Sequence, residues 1–288
     1  MLSASHTNAA RASSALGDDQ LIGGTKRAAA TPTSKPMAFL SRRYGAMTKA
    51  AGIVKDYVYD FYSPIHQLSW RDTVRCLPLL LLLEYMVYQA DAVAENSKDI
   101  DLARVKNRDF EKLTAHKERF IKLLKRLDFY DRLIEHELDM GEQFLRLENK
   151  LTSGHPIERA DVMRTAELRS SDVRLLHCLM FRLLKRPYDE GLLSLLWPVE
   201  VIADIGNDFN HYADDVAKGS YNTYSMFVKL YGERAPEQMQ LELQKYEKLF
   251  LERLDLYPTS RKDKLLDLCT RFYRTHTMTI PAPIIGAC

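Results

Sequence analysis

The spacing of apolar residues is the feature that most restricts the fold of this 288-residue chain. Between residues 44 and 277, apolar side chains recur at the three- and four-residue intervals that place them on one face of an α-helix, most clearly over 110–150. No window alternates apolar and polar residues with the period of two that a half-buried strand requires. The sequence therefore predicts one large all-α domain over residues 44–277.

Breaks in this pattern predict where the helices end. We expect helices over 44–62, 69–95, 110–150, 157–186 and 188–218, with two or three more between 221 and 277. Two further breaks are expected inside these spans, one near Leu127–Asp131 and one near Ser170-Ser171. Gly219 stands where a glycine commonly ends a helix. Residues 278–288 form a short proline-containing tail.

The first 43 residues differ in composition from the rest. They are rich in Ala, Ser and Thr, carry six basic residues and only two acids, and lack the apolar core of a secretory signal. This composition is typical of an organelle transit peptide, for example to a plastid, and equally of a disordered tail. Together with the composition of the rest of the chain, the lack of a secretory signal predicts an intracellular protein.

Charge and cysteine content exclude several classes of protein. The net charge is only +2, with acidic and basic residues interspersed, so nucleic acid is not an expected partner. Cys76, Cys178, Cys269 and Cys288 lack the spacing of a zinc site or a disulfide framework and are expected to be reduced thiols. No apolar run reaches the roughly 18 residues of a membrane span; the longest, 77–83, ends at Glu84.

Two polar clusters interrupt the helical pattern. Asn207, His211 and Asp215 follow one another at intervals of four residues, which keeps them within about 80° on one helix face. Upstream, Asp91 and Glu95 lie one turn apart at the end of an apolar helix. Oxygen-rich side chains stacked in this way suggest a divalent metal, and such metals often bind phosphate.

Both clusters resemble the metal motifs of class I terpene synthases. Asn207, Asp208, Asp215 and Lys218-Gly219 match the second motif, with Asp215 replacing Glu and His211 replacing Ser or Thr. Asp91 and Glu95 match the first and last acids of the aspartate-rich motif, with Ala92 in place of the second Asp. The resemblance implies a helical bundle around a central cavity, with Mg²⁺ or Mn²⁺ as cofactor. It implies these metal ligands: Asp91, Glu95, Asn207, His211 and Asp215. Of these, Asp91, Asn207 and Asp215 would be catalytic.

The chemistry of this family assigns further residues. A prenyl diphosphate ionises only when the leaving pyrophosphate is strongly stabilised, by metal ions and by basic side chains. The resemblance implies a diphosphate-binding Arg at a broken helix before the second motif, for which the candidates are Arg164 and Arg169, together with Lys218 and Arg271. Arg271-Phe272-Tyr273-Arg274 interrupts the Arg-Tyr pair that the family carries there. Aromatic rings near the motifs are expected to enclose the carbocation: Tyr85, Tyr88, Trp197 and Tyr212.

Three functions remain open from the sequence. The algal N-prenyltransferases of kainoid biosynthesis, which transfer a prenyl group to the amine of glutamate on a terpene cyclase fold, are similar in having basic residues near such motifs. A transferase of this kind, acting on dimethylallyl, geranyl or farnesyl diphosphate and an amine acceptor such as an amino acid, is the first hypothesis. A cyclase that makes a mono- or sesquiterpene is the second. A non-catalytic helical interaction protein is the third.

Overall fold

The protein folds as a bundle of helices. The computed structural model describes the backbone of residues 35–95, 102–277 and 279–286, and the side chains within 44–89, 114–274 and 279–286. These residues contain helices and no strands, so the all-α prediction is confirmed. None of the described helices combines the length and the apolar character needed to cross a bilayer.

The helices follow the breaks predicted from the sequence, with shifted starts. The two internal breaks are confirmed, since one helix ends at Arg126 before the next begins at Arg132, and another ends at Arg169 before the next begins at Ser171. The first helix begins at Lys35, nine residues before the expected start of the domain. In chain order the α-helices are α1 Lys35–Ile53, α2 Ser63–Ile65, α3 Trp70–Glu95, α4 Leu102–Arg126, α5 Arg132–Thr152, α6 Arg159–Arg169, α7 Ser171–Leu183, α8 Glu190–Lys218, α9 Thr223–Tyr231, α10 Ala235–Leu254 and α11 Thr259–Thr277.

A π-helix over Val54–Tyr62 joins α1 to α2. Its i→i+5 hydrogen bonds bring residues five apart onto nearly the same side, whereas an α-helix would separate them by about 140°. Tyr57 and Tyr62 are five apart, and both are buried with their hydroxyl groups directed at α8. Phe61 and Phe272 stack with their ring centroids 4.0 Å apart, which fixes the π-helix against α11.

Helix α8 lies at the centre of the described bundle. Asp189 caps its start, with a carboxylate that accepts a hydrogen bond from the Leu192 N–H, and Gly219 follows its last residue with a φ of 65° that only glycine adopts at low cost. Its neighbours are α6, α7, α9, α10 and α11. Because helices pack around most of α8, some of its polar side chains lie inside the protein and others lie at its surface.

Candidate functional site

One face of α8 carries six polar side chains. In helical projection they fall within about 100° of rotation, and in chain order they are Glu200, Asp204, Asn207, Asp208, His211 and Asp215. The face runs from a buried end, where Glu200 is 1% exposed, to an open end, where His211 is exposed. The sequence motif identified only part of this face.

The open end contains the three residues predicted as metal ligands. Asn207 and Asp215 are half-buried and His211 is exposed. One carboxylate oxygen of Asp215 accepts a hydrogen bond from the Asn222 amide at 2.9 Å, which ties the end of α8 to the start of α9. Lys218, also predicted to act here, is exposed on the last turn. Polar oxygen atoms at this end are therefore accessible to a ligand from solvent.

Arg169 and Asp208 form an ion pair at the middle of the face. Asp208 is 1% exposed, and its other carboxylate oxygen accepts the Thr223 N–H at 2.8 Å. Arg169 is the last residue of α6, and its side chain is 28% exposed. Burial lowers the pKa of Arg169, but the carboxyl groups of Asp208 and Asp204 outweigh it and raise the pKa overall, so the guanidinium stays charged.

The break between α6 and α7 explains why Arg169 reaches α8. Ser170 leaves helical geometry, with φ −72° and ψ 9°, so α6 ends at Arg169 and α7 begins at Ser171. Arg164, the other predicted candidate, is exposed and pairs instead with Glu167 on its own helix at 3.2 Å. Of the two arginines, Arg169 is the one that contacts the motif helix.

The buried end holds two carboxyl groups that the sequence prediction did not include. The Tyr62 hydroxyl donates to Glu200 at 2.6 Å, and the Tyr57 hydroxyl donates to Asp204 at 2.8 Å. Burial raises the pKa of Glu200 to about 8 and that of Asp204 to about 7. One oxygen of each carboxyl group is buried without a hydrogen-bond partner in the described part of the chain. A bound proton there removes a charge that burial disfavours.

A second arginine borders the buried end but is fully engaged. The Arg174 side chain donates to Glu137 at 2.9 Å and to the Ser170 hydroxyl at 2.6 Å. Burial lowers its pKa, and the nearby carboxyl groups of Glu137 and Glu200 outweigh this and raise it. Burial also raises the pKa of Asp172 to about 6, against the opposing effect of Arg169 and Arg174. The interior is thus a mixed network of acids and arginines.

The described residues alone do not complete a metal centre. No group of three or more His, Cys, Asp or Glu side chains suited to a metal ion is found within that part of the chain. The side chains of Asp91 and Glu95 lie outside the described residues, although α3 extends to Glu95. A metal site that used Asn207 and Asp215 would have oxygen ligands of the kind Mg²⁺ prefers, with His211 a poorer ligand.

The remaining predicted residues have separate environments. Arg271 is exposed and pairs with Asp267 on its own helix. Tyr212 is buried, packs edge-on against Tyr224, and accepts a hydrogen bond from the Ile284 N–H. Trp197 packs against Tyr246 at the edge of a surface groove of about 390 Å³.

The two predicted aromatic residues on α3 are half-buried. The Tyr85 hydroxyl accepts a hydrogen bond from Gln89 at 2.7 Å, and the Tyr88 ring lies near the ammonium of Lys49. Tyr57 and Tyr62, which sequence proximity to the motifs could not identify, are the aromatic residues that contact the polar face of α8 directly. Comparison of the chain with protein-family models, with curated proteins and with solved structures finds no match.

Proposed function

We propose that the protein ionises an allylic prenyl diphosphate and transfers the prenyl group to an amine acceptor, with Mg²⁺ as cofactor. The position of Arg169 is the observation that carries the proposal. Arg169 is the last residue of α6, and its guanidinium pairs with Asp208, the residue that follows Asn207 on α8. A permanently charged guanidinium next to oxygen ligands is what a leaving pyrophosphate needs, because its charge develops as the C–O bond breaks.

The open end of the α8 face is the proposed diphosphate position. Asn207 and Asp215 would hold Mg²⁺ there, together with Asp91 and Glu95 of α3, and the ion would supply Lewis-acid stabilisation of the pyrophosphate oxygens. The guanidinium of Arg169 would bind the diphosphate through two N–H groups from the side of α6, and Lys218 lies on the exposed last turn of α8. In this arrangement the C–O electron pair leaves with the pyrophosphate.

The buried end of the face favours transfer over cyclisation. A cyclase must keep its carbocation away from nucleophilic oxygen, in an apolar enclosure. Here the interior presents carboxyl and phenol oxygens from Glu200, Asp204, Tyr57 and Tyr62, with Arg174 near Glu200 and Arg169 near Asp204. Such an interior suits a polar acceptor, whose nitrogen forms the new C–N bond and then releases a proton. A terpene cyclase remains the alternative within the same chemistry.

A non-catalytic helical protein is the second candidate, and a specific observation favours it. Asp208 and Asp215, both part of the motif, accept hydrogen bonds from Thr223 and Asn222 at the start of α9. These bonds would hold the α8–α9 turn even in a protein without a substrate. The two candidates differ in one consequence: only the enzyme releases pyrophosphate.

The deciding experiment incubates the full-length protein and Mg²⁺ with dimethylallyl, geranyl or farnesyl diphosphate, with and without a pool of amino acids. Pyrophosphate release and mass spectrometry of the products are measured. We expect release in the presence of Mg²⁺, its loss on chelation by EDTA, and a prenylated amine that forms only when the amino acids are present. A hydrocarbon or alcohol that forms equally without them identifies a cyclase, and the absence of any release identifies a non-catalytic protein.

A matched pair of arginine variants tests the role of Arg169. Arg169→Lys keeps the charge but loses bidentate geometry, and we expect turnover to fall on the order of 100-fold. Arg164→Ala, on the same helix but exposed, should leave turnover unchanged. Circular dichroism and chemical denaturation establish that both variants remain folded. Equal turnover of the two variants contradicts the assignment of Arg169.

A further inference from the structure

The outer face of α3 is apolar over its first three to four turns. Trp70, Val74 and Leu82 are 71%, 51% and 46% exposed, and Pro78 is also exposed. These residues are spaced four apart, so they form one stripe about 18 Å long, given the 1.5 Å rise per residue. The stripe is separate from the polar face of α8.

The opposite face of α3 is already buried. Thr73, Cys76, Leu80 and Leu83 are buried, and α3 packs against α1, α4, α7 and the π-helix. The helix is therefore apolar on both sides along the run 77–83, whereas a helix at the surface of a globular protein ordinarily has a polar outer side. A contiguous exposed apolar surface of this kind marks a site of interaction.

Basic residues accompany the stripe. Arg71 and Arg75 lie on the same outer side of α3, both are exposed, and neither forms an ion pair within the described part of the chain. The guanidinium of Arg71 lies 5.8 Å from the centroid of the Trp70 ring. Farther along the helix, the exposed Lys49 of α1 lies 5.8 Å from the Tyr88 ring.

The acidic residues on the same turns of α3 lie away from this outer face. Asp72 lies off the stripe, where its carboxylate accepts a hydrogen bond from the Ser69 hydroxyl at 2.7 Å. Glu84 is buried on the inner side of α3. The outer surface is thus apolar and cationic.

We propose that the outer face of α3 binds the surface of an anionic lipid membrane. Trp at one end, aliphatic side chains along the stripe and exposed arginines beside them match the two parts of such a surface, the acyl boundary and the anionic headgroups. The helix lies along the interface and does not cross it. This inference stands independently of the proposed function.

Vesicle flotation of the full-length protein tests the proposal. We expect the protein to float with vesicles that contain phosphatidylglycerol in addition to phosphatidylcholine, and to bind much less to phosphatidylcholine alone. Binding should weaken as salt rises, because exposed charges are screened beyond about 10 Å at 0.1 M ionic strength. Two double variants, Trp70→Ser with Leu82→Ser and Arg71→Gln with Arg75→Gln, should each reduce the affinity by about tenfold or more.

Matched variants on other helices control for general changes in surface character. Leu241→Ser with Leu251→Ser removes two comparably exposed apolar side chains from α10, and Lys248→Gln with Lys264→Gln removes two exposed charges. Both should bind vesicles as the unaltered protein does. Failure of the unaltered protein to bind anionic vesicles, or equal binding by the α3 variants, overturns the proposal. A dimer in analytical ultracentrifugation that the Trp70/Leu82 variant dissociates, without vesicle binding, would instead identify the face as an interface between copies.

Discussion

The buried and open ends of the polar face of α8 contain similar residues but have different chemistry. Glu200 and Asp204 lie beneath the π-helix and α7, hydrogen-bond to two tyrosines, and have their pKa values raised to about 8 and about 7. Asn207, His211 and Asp215 continue the same face where little covers it. Burial is the largest cause that raises the pKa of both Glu200 and Asp204, so the covered end of the face favours carboxyl groups that hold a proton.

This difference bears on how a metal motif should be interpreted. A spacing of four residues predicts which side chains share a face, but it carries no information on what covers that face. Asn207, His211 and Asp215 keep the access to solvent that a metal and a diphosphate require, while Glu200 and Asp204 earlier on the same face are suited to hold protons. The experiments below separate these two roles, beginning with the largest expected effect.

Substitution of Asp208, which lies between the two ends of the face, should lower the free energy of unfolding the most. Asp208→Ala leaves Arg169 without its partner and removes the acceptor of the Thr223 N–H. We expect the free energy of unfolding to fall by about 3 kcal/mol or more, measured by urea denaturation. Asp214→Ala, an exposed acid on the same helix, should change it by less than about 0.5 kcal/mol. Similar losses in both variants would show that the pair is not a buried structural contact.

The buried end should make stability fall as pH rises. Glu200 has a higher pKa in the folded protein, about 8, than its ordinary value of 4.5, so the folded state binds more protons than the unfolded state between these values. The contribution is complete below about pH 4.5 and is lost as pH approaches 8, at up to about 1.4 kcal/mol per pH unit.

Glu200→Gln should remove this slope. Because the amide cannot ionise, we expect the variant to be more stable than the unaltered protein at pH 8 by about 2 kcal/mol, allowing for an imperfectly bonded amide. Asp204→Asn should act in the same direction, and the contribution that it removes is the one lost as pH approaches about 7. Denaturation curves collected from pH 5 to pH 8 measure both. A slope that is unchanged in both variants would mean that these carboxyl groups are ionised in the folded protein.

At the open end, a substitution should change the free energy of unfolding only modestly but should lower turnover strongly. Asp215→Ala removes one hydrogen bond to Asn222, worth about 1 kcal/mol, but should lower turnover on the order of 100-fold if Asp215 binds metal. Asn222→Ser breaks the same hydrogen bond and can still cap α9, so it should retain turnover. Parallel loss of turnover in both variants would assign Asp215 to structure only.

His211 should give the smallest effect. His211→Ser replaces an exposed imidazole with the kind of hydroxyl residue that the resembled motif carries, and we expect a stability change below about 0.5 kcal/mol. Turnover and its dependence on Mg²⁺ should stay within a few-fold of the unaltered protein. A loss of tenfold or more in a folded variant would instead identify the imidazole as a ligand.

The sequence predicted the helices and their breaks because both depend on local interactions. The break near Leu127–Asp131 is confirmed, with Asp131 capping α5 through the Leu133 and Ile134 N–H groups. Gly219 has the positive φ expected of a glycine that ends a helix. The kink near Ser170 is confirmed as well, and it places Arg169 against α8.

Tertiary contacts of the site were less accessible to sequence reasoning. Glu200 and Asp204 stand singly among apolar residues, although their spacing of four with Asp208 was a signal that could have been used. Trp197 precedes the motif in sequence, yet it packs against Tyr246 at a surface groove, because ten residues along α8 span about 15 Å. The metal-binding roles of Asp91 and Glu95 stay predictions, since their side chains lie outside the described residues.

The π-helix has a consequence for how related chains should be compared. A helix of this type arises when one residue is added to an α-helix without breaking it, and the addition is often retained where it serves a function. Over Val54–Tyr62 the added residue lets two phenols five positions apart meet two acids of α8. A relative one residue shorter here would continue as regular α-helix and turn one phenol away. We expect such a gap in an alignment to coincide with replacement of Glu200 or Asp204, so that insertion and acid are inherited or lost together.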